Sequence, residues 1–116
     1  MLSIPTGLKV YLALKPVDMR KHFNGLWTEV QQALKMDPRE GSIYVFGNKS
    51  RDRLKLLYWD GTGVCILSKR LEKGRFSWPK GTSETRLTLT PEALTMLLAG
   101  IDLRDGMRRA WYETPQ

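Results

Sequence analysis

Cysteine and histidine are almost missing from this sequence, which holds only Cys65 and His22. One cysteine excludes an internal disulfide. One residue of each kind falls short of the several Cys and His ligands a zinc site takes. No apolar run approaches the ~20 residues needed to cross a bilayer. Met1-Leu2-Ser3-Ile4-Pro5 lacks the charged-then-apolar layout of a signal peptide, so the expected location is cytoplasmic. A phosphate-cradling loop is absent too: Gly61-Thr62-Gly63 is not followed by the glycine, lysine and helix such a loop needs. Clustered acids are scarce. Outside evident surface and turn positions only Asp18, Asp52, Asp60 and Glu72 remain, and Asp18 and Asp60 read as a helix cap and a turn residue. Holding Mg²⁺ for strand cleavage takes two or three converging carboxylates. His22 has neither carboxylate nor serine beside it to form a relay. Cys65, inside Val64-Cys65-Ile66-Leu67, reads as a small buried hydrophobe. The expectation is a protein that is not an enzyme, with no metal and no cofactor.

Positive charge is what the sequence does have. The 116 residues carry a net +7. Residues 1–46 account for +2, residues 47–80 for +6 and residues 81–116 for −1. Concentrating the excess in one segment raises the local potential and favours a polyanion, nucleic acid first. The plain alternative is a solvated basic face. The length fits one domain, able to bury roughly two-thirds of its unfolded surface without a metal or disulfide staple.

Leu8–Leu14 alternates and reads as a strand. Asp18 then reads as the N-cap of a helix whose apolar stripe is Met19, Phe23, Leu26, Trp27, Val30 and Leu34. Asp37-Pro38 stops it. Ile43–Phe46, Arg53–Trp59, Val64–Leu71, Arg75–Trp78 and Arg86–Leu89 read as further strands, with Asp60-Gly61-Thr62-Gly63 as a hairpin loop. Thr90-Pro91 caps a second helix, with Leu94, Leu97 and Leu98 inside and Gly100 as its stop. The expected fold is α+β: an antiparallel meander of about five to six strands with two helices packed on it, the connections being too short for crossovers. A single domain over residues 1–103 and a flexible tail over 104–116 complete the outline.

Within the basic segment Lys49, Arg51, Arg53 and Lys55 recur at every second position. On an extended strand they tend to one side, with Leu54, Leu56 and Tyr58 facing the core. Lys69, Arg70, Lys73 and Arg75 extend the positive character. Trp59, Phe76 and Trp78 interleave with the cations, the combination that grips single-stranded or distorted nucleic acid without reading bases; as core residues they would have a simpler use. Arg20 and Lys21, beside a helix N-terminus whose dipole disfavours cations, form a secondary candidate anion contact.

Four stretches carry a resemblance: Asp18-Met19-Arg20-Lys21-His22-Phe23-Asn24-Gly25-Leu26, Ile43–Lys49, Asp52–Gly63 and Lys69–Pro79. In this order they resemble the TnpB-type accessory protein, the second open reading frame, of the insertion-sequence-66 group of bacterial transposons. The resemblance spans nearly the whole chain up to Asp102. It implies a protein encoded beside a separate, larger transposase and needed for efficient transposition, and it brings no catalytic residues. The expected function is non-catalytic: binding DNA, at transposon ends, through the basic β surface while assisting the transposase. The alternative is an adaptor that docks on the transposase without touching DNA.

Overall fold

Asp60 builds the turn that organises the middle of the chain. Its Oδ1 accepts from the backbone N–H groups of Thr62 and Gly63, each at 2.9 Å, and from the Thr62 hydroxyl at 3.0 Å. Gly61 supplies the positive φ of +98° that the turn demands. In the computed structural model, which describes residues 7–80 and 83–100, this turn joins two seven-residue strands, β3 (Arg53–Trp59) and β4 (Val64–Arg70). The other elements are β1 (Val10–Ala13), α1 (Phe23–Gln32), a 3₁₀ turn at Pro38–Glu40, β2 (Ile43–Gly47), β5 (Arg86–Leu89) and α2 (Pro91–Leu98). Residues 104–116, read above as a tail, lie outside the described residues.

The strands form one sheet in the order β4-β3-β2-β1-β5. It is α+β and five-stranded as expected, but it is not a pure antiparallel meander. β1 pairs with β2 in parallel, Val10 with Ile43 and Leu12 with Val45. Short loops do connect β2 to β3 to β4, which run antiparallel. The link from β1 to β2, however, contains α1 and is long enough to cross over. β5 then returns to the far side of β1, antiparallel, so the last strand flanks the first.

Alternation along the strands makes two apolar faces. Leu26, Val30 and Leu34 press on Ala13, Tyr44, Phe46 and Leu57 on one face. Ala93, Leu94 and Leu97 of α2 press on Val10, Leu12, Ile43, Val45, Leu54, Leu56 and Leu89 on the other. The hairpin β2–β3 thus contributes to both layers, as a strand buried on two sides must.

Two local expectations need correction. Asp18 does not cap α1, which starts later, at Phe23, with His22 at its N-cap and no side-chain cap bond. Instead Asp18 accepts from the backbone N–H of Arg20 at 2.8 Å, holding a separate turn ahead of the helix. Arg75–Trp78 is not a strand. It crosses toward the opposite edge, with Phe76 N–H donating to the Arg51 carbonyl at 2.6 Å and the Trp78 indole N–H to the Ala13 carbonyl at 3.0 Å. At α2 the reading holds: Thr90 Oγ1 accepts from Ala93 N–H at 3.0 Å, Pro91 opens the helix, and Gly100, φ +77°, follows it.

Candidate nucleic-acid interface

The basic residues gather at one end of the sheet rather than on one face. β1 and β2 finish there, at Ala13 and Gly47, while β3 starts there and β4 finishes there. Arg53 and Arg70 face each other across the β3–β4 ladder, so their side chains leave the same face. Lys49 sits in the β2–β3 turn. This turn is tied by Asn48, whose Oδ1 accepts from the N–H groups of Asp52 and Arg53 and whose amide donates to Asp52 Oδ1 at 2.7 Å. The loop bearing Lys73 and Arg75 is pinned to that turn at both ends: Leu71 N–H bonds the Asp52 carbonyl at 2.9 Å, and Phe76 N–H bonds the Arg51 carbonyl. Lys49, Arg53, Arg70, Lys73 and Arg75 are all exposed. None of the five has a side-chain hydrogen bond or ion pair among the described residues. Asp52, the nearest carboxylate by sequence, is held below its ordinary range by the Asn48 amide, with Arg53 and Arg70 adding attraction.

Other sequence candidates are diverted. Lys69 opposes Leu54 and so points to the α2 face, where its Nζ donates to the Leu98 carbonyl at 2.6 Å. Lys55 shares the Arg53 face, but its ammonium donates to the carbonyls of Met19 and Lys21 at 2.8 and 2.7 Å. Arg51 is not on the strand at all: it takes a left-handed φ of +61° in the turn. Its guanidinium lies 4.5 Å from the Trp78 ring and donates to the Leu14 carbonyl at 3.0 Å. Burial lowers its pKa, and Nη1 is buried without a hydrogen-bond partner among the described residues. Arg20 chelates Asp18 through Nε and Nη2, the closest contact being 2.6 Å, and the side chain stays 92% exposed. Hydrogen bonds from Arg20 pull the Asp18 carboxyl down to about 2. Lys21 pairs with Glu29. Both secondary candidates therefore carry their own counter-ion.

The aromatics correct the sequence reading more sharply. Phe76 and Trp78 are core residues, 3% and 7% exposed, and cannot present stacking faces. Trp59, half-buried, is at the other end of β3, edge-on to Trp27 at 5.7 Å, and Arg39 lies 5.8 Å from the Trp27 ring.

The IS66 Orf2-like protein family, TnpB of IS66 elements, matches residues 8–108. The chain belongs to that family. Two curated relatives from Sinorhizobium fredii, both called uncharacterized, are similar over most of their length. The protein y4jC is 41% identical over 102 residues, covering 88% of this chain and 86% of the relative. The protein y4hO is 39% identical over 103 residues, covering 87% and 89%. No solved structure matches. Membership makes this IS66 Orf2-like chain a transposition accessory protein.

For this IS66 protein the structure adds one cation that the charge window left out. Lys15, exposed, follows β1 into the sheet end where Val17 N–H bonds the Gly47 carbonyl. Only the parallel β1–β2 pairing brings it there, and charge counting along the chain carries no such signal. Cys65 also departs from expectation. β4 is an edge strand, so this thiol is exposed rather than buried, and desolvation together with the Asp60 carboxylate 3.6 Å away raises its pKa. Among the described residues no group of His, Cys, Asp and Glu could hold a metal, and no helix is long and apolar enough to cross a membrane.

Proposed function

We propose that this accessory protein binds the phosphate backbone of DNA through the cationic sheet end, and so assists the transposase encoded by the same element. One observation carries the reading: five exposed cations, from the β2–β3 turn with the start of β3 and from the end of β4 with its following loop, converge, and among the described residues none of them forms an ion pair, Asp52 answering only part of their charge. Holding like charges together costs energy that an anionic partner returns. The reading is narrower than the sequence expectation, because it draws on Lys49, Arg53, Arg70, Lys73 and Arg75 and leaves Arg51, Lys55 and Lys69 to internal bonds. About five phosphate contacts give a slope of log affinity against log salt near −4 to −5. Replacing Arg53 and Arg75 by Gln removes about two of those contacts and flattens the slope by about 1.8. A slope near zero, or no binding to any DNA, refutes the reading.

A second reading, an adaptor docking on the transposase, rests on Phe23. Among the described residues it is the exposed large hydrophobic, at 42%, beginning the helix that also carries Trp27. Aromatic side chains dominate interface energetics when a partner buries them. A pull-down of the transposase that survives nuclease and high salt, and is lost on Phe23→Ala, supports it.

A further inference from the structure

We infer that the cationic sheet end takes double-stranded nucleic acid, held by its phosphates alone. The inference rests on the DNA-binding reading above and names the form of its ligand.

Single strands are gripped by cations and aromatic faces working side by side, with successive bases stacked on successive rings. Sequence places such rings among the cations here, and folding takes them away. Phe76 and Trp78 enter the core beneath α2. One face of Trp78 is covered by the Arg51 guanidinium and its indole N–H is spent on Ala13. Trp59 lies six residues along β3 from Arg53, ~20 Å at the rise of an extended strand. Tyr58 points to the α2 face, opposite to Arg53, because one residue of β3 reverses the side. Phe23 keeps an open ring, packed at 4.4 Å against His22. Among the described residues that is one exposed platform, where a single-strand groove needs several.

What remains is spread in the way a duplex requires. Lys15 follows β1 and Arg70 ends β4, three strand spacings apart, ~15 Å. A row of that span can touch phosphates on both sides of a major groove ~12 Å wide, which one flexible strand does not offer in fixed register. Contacts of this kind position a duplex and do not read its sequence.

The test compares labelled duplexes and single strands of equal length and mixed sequence by fluorescence anisotropy between 50 and 200 mM salt, alongside intrinsic tryptophan emission. The expected result is duplex affinity at least tenfold above single-strand affinity, tryptophan emission unchanged at saturation, and Phe23→Ala and Trp59→Leu without effect on duplex binding. Single strands bound as tightly as duplex, or quenched tryptophan, overturn the inference while leaving the DNA-binding reading intact. Absence of salt-dependent binding to either form overturns both.

Discussion

Arg53 and Arg70 stand directly opposite each other on neighbouring strands, two guanidinium groups leaving one face of the sheet with no ion pair of their own among the described residues. Like charges in this position are destabilising. Replacing Arg70 by Thr removes the repulsion and adds a good strand former to an edge. The expected outcome is a gain of up to about 1 kcal/mol, seen as a rise of a few degrees in Tm, together with weaker DNA binding. Loss of both stability and binding contradicts the assignment of this pair to ligand rather than fold.

Trp78 belongs to the opposite class. Trp78→Phe keeps the apolar bulk but strands the Ala13 carbonyl and weakens the contact with Arg51. A cost of about 1–3 kcal/mol follows from the unmade buried bond, measured by urea unfolding. Gly47→Ala tests the same corner from the other side, since its Cβ would lie 2.7 Å from the Trp78 ring and 3.0 Å from Arg51 Nη1. Crowding there destabilises by about 1–3 kcal/mol. If the alanine variant is as stable as the parent, the packing described is wrong.

Lys55 is a cation doing structural duty. Its ammonium satisfies the Met19 and Lys21 carbonyls, fixing the segment ahead of α1. Lys55→Met keeps the stem and removes the donors, at about 1.5–3 kcal/mol for bonds to a charged group. Its effect on the salt slope of DNA binding is small, because no phosphate contact is lost. A slope flattened as much as by Arg53→Gln shows the ammonium reaching DNA instead.

Asp18 sets a pH boundary. Its carboxyl is held at about 2, against an ordinary 3.8, first by the Arg20 side-chain bonds and then by the Arg20 backbone N–H. A depressed acid contributes stability that is complete above the ordinary value and is lost as pH falls through the lowered one. The Asp18–Arg20 pair is therefore closed at every pH above about 4, and Arg20 is matched by its own counter-ion throughout. Carboxyl NMR gives the midpoint. A midpoint near 4 removes the pair and frees Arg20 for an external anion.

The elements were legible where pattern and local chemistry agreed. Thr90-Pro91 and Asp60-Gly61 announce their structures within four residues, because cap and turn bonds are short-range. The parallel pairing of β1 was not legible: Val10 and Ile43 are far apart in sequence, and alternation is the same for parallel and antiparallel neighbours. The site split the same way. Charge counting points to the segment whose cations gather at one sheet end, yet it could not tell Arg53, which makes no side-chain hydrogen bond or ion pair among the described residues, from Lys55, two positions on, which finds two backbone carbonyls. Nor could it see that Phe76 and Trp78 serve the core, since an aromatic beside an arginine looks identical in sequence whether it stacks on a base or on Arg51.

The placement of β1 between β2 and β5 also governs when the molecule can be finished. Val10 is made long before its second neighbour, Leu89, so one flank of β1 stays bare until β5 is synthesised. The β2–β3–β4 hairpins, joined by short turns, can form well before that. Chains cut short before residue 86 would keep this early unit but leave β1 with an open edge and the α2 side of its core wet. Premature termination therefore yields a sticky fragment rather than a smaller working protein.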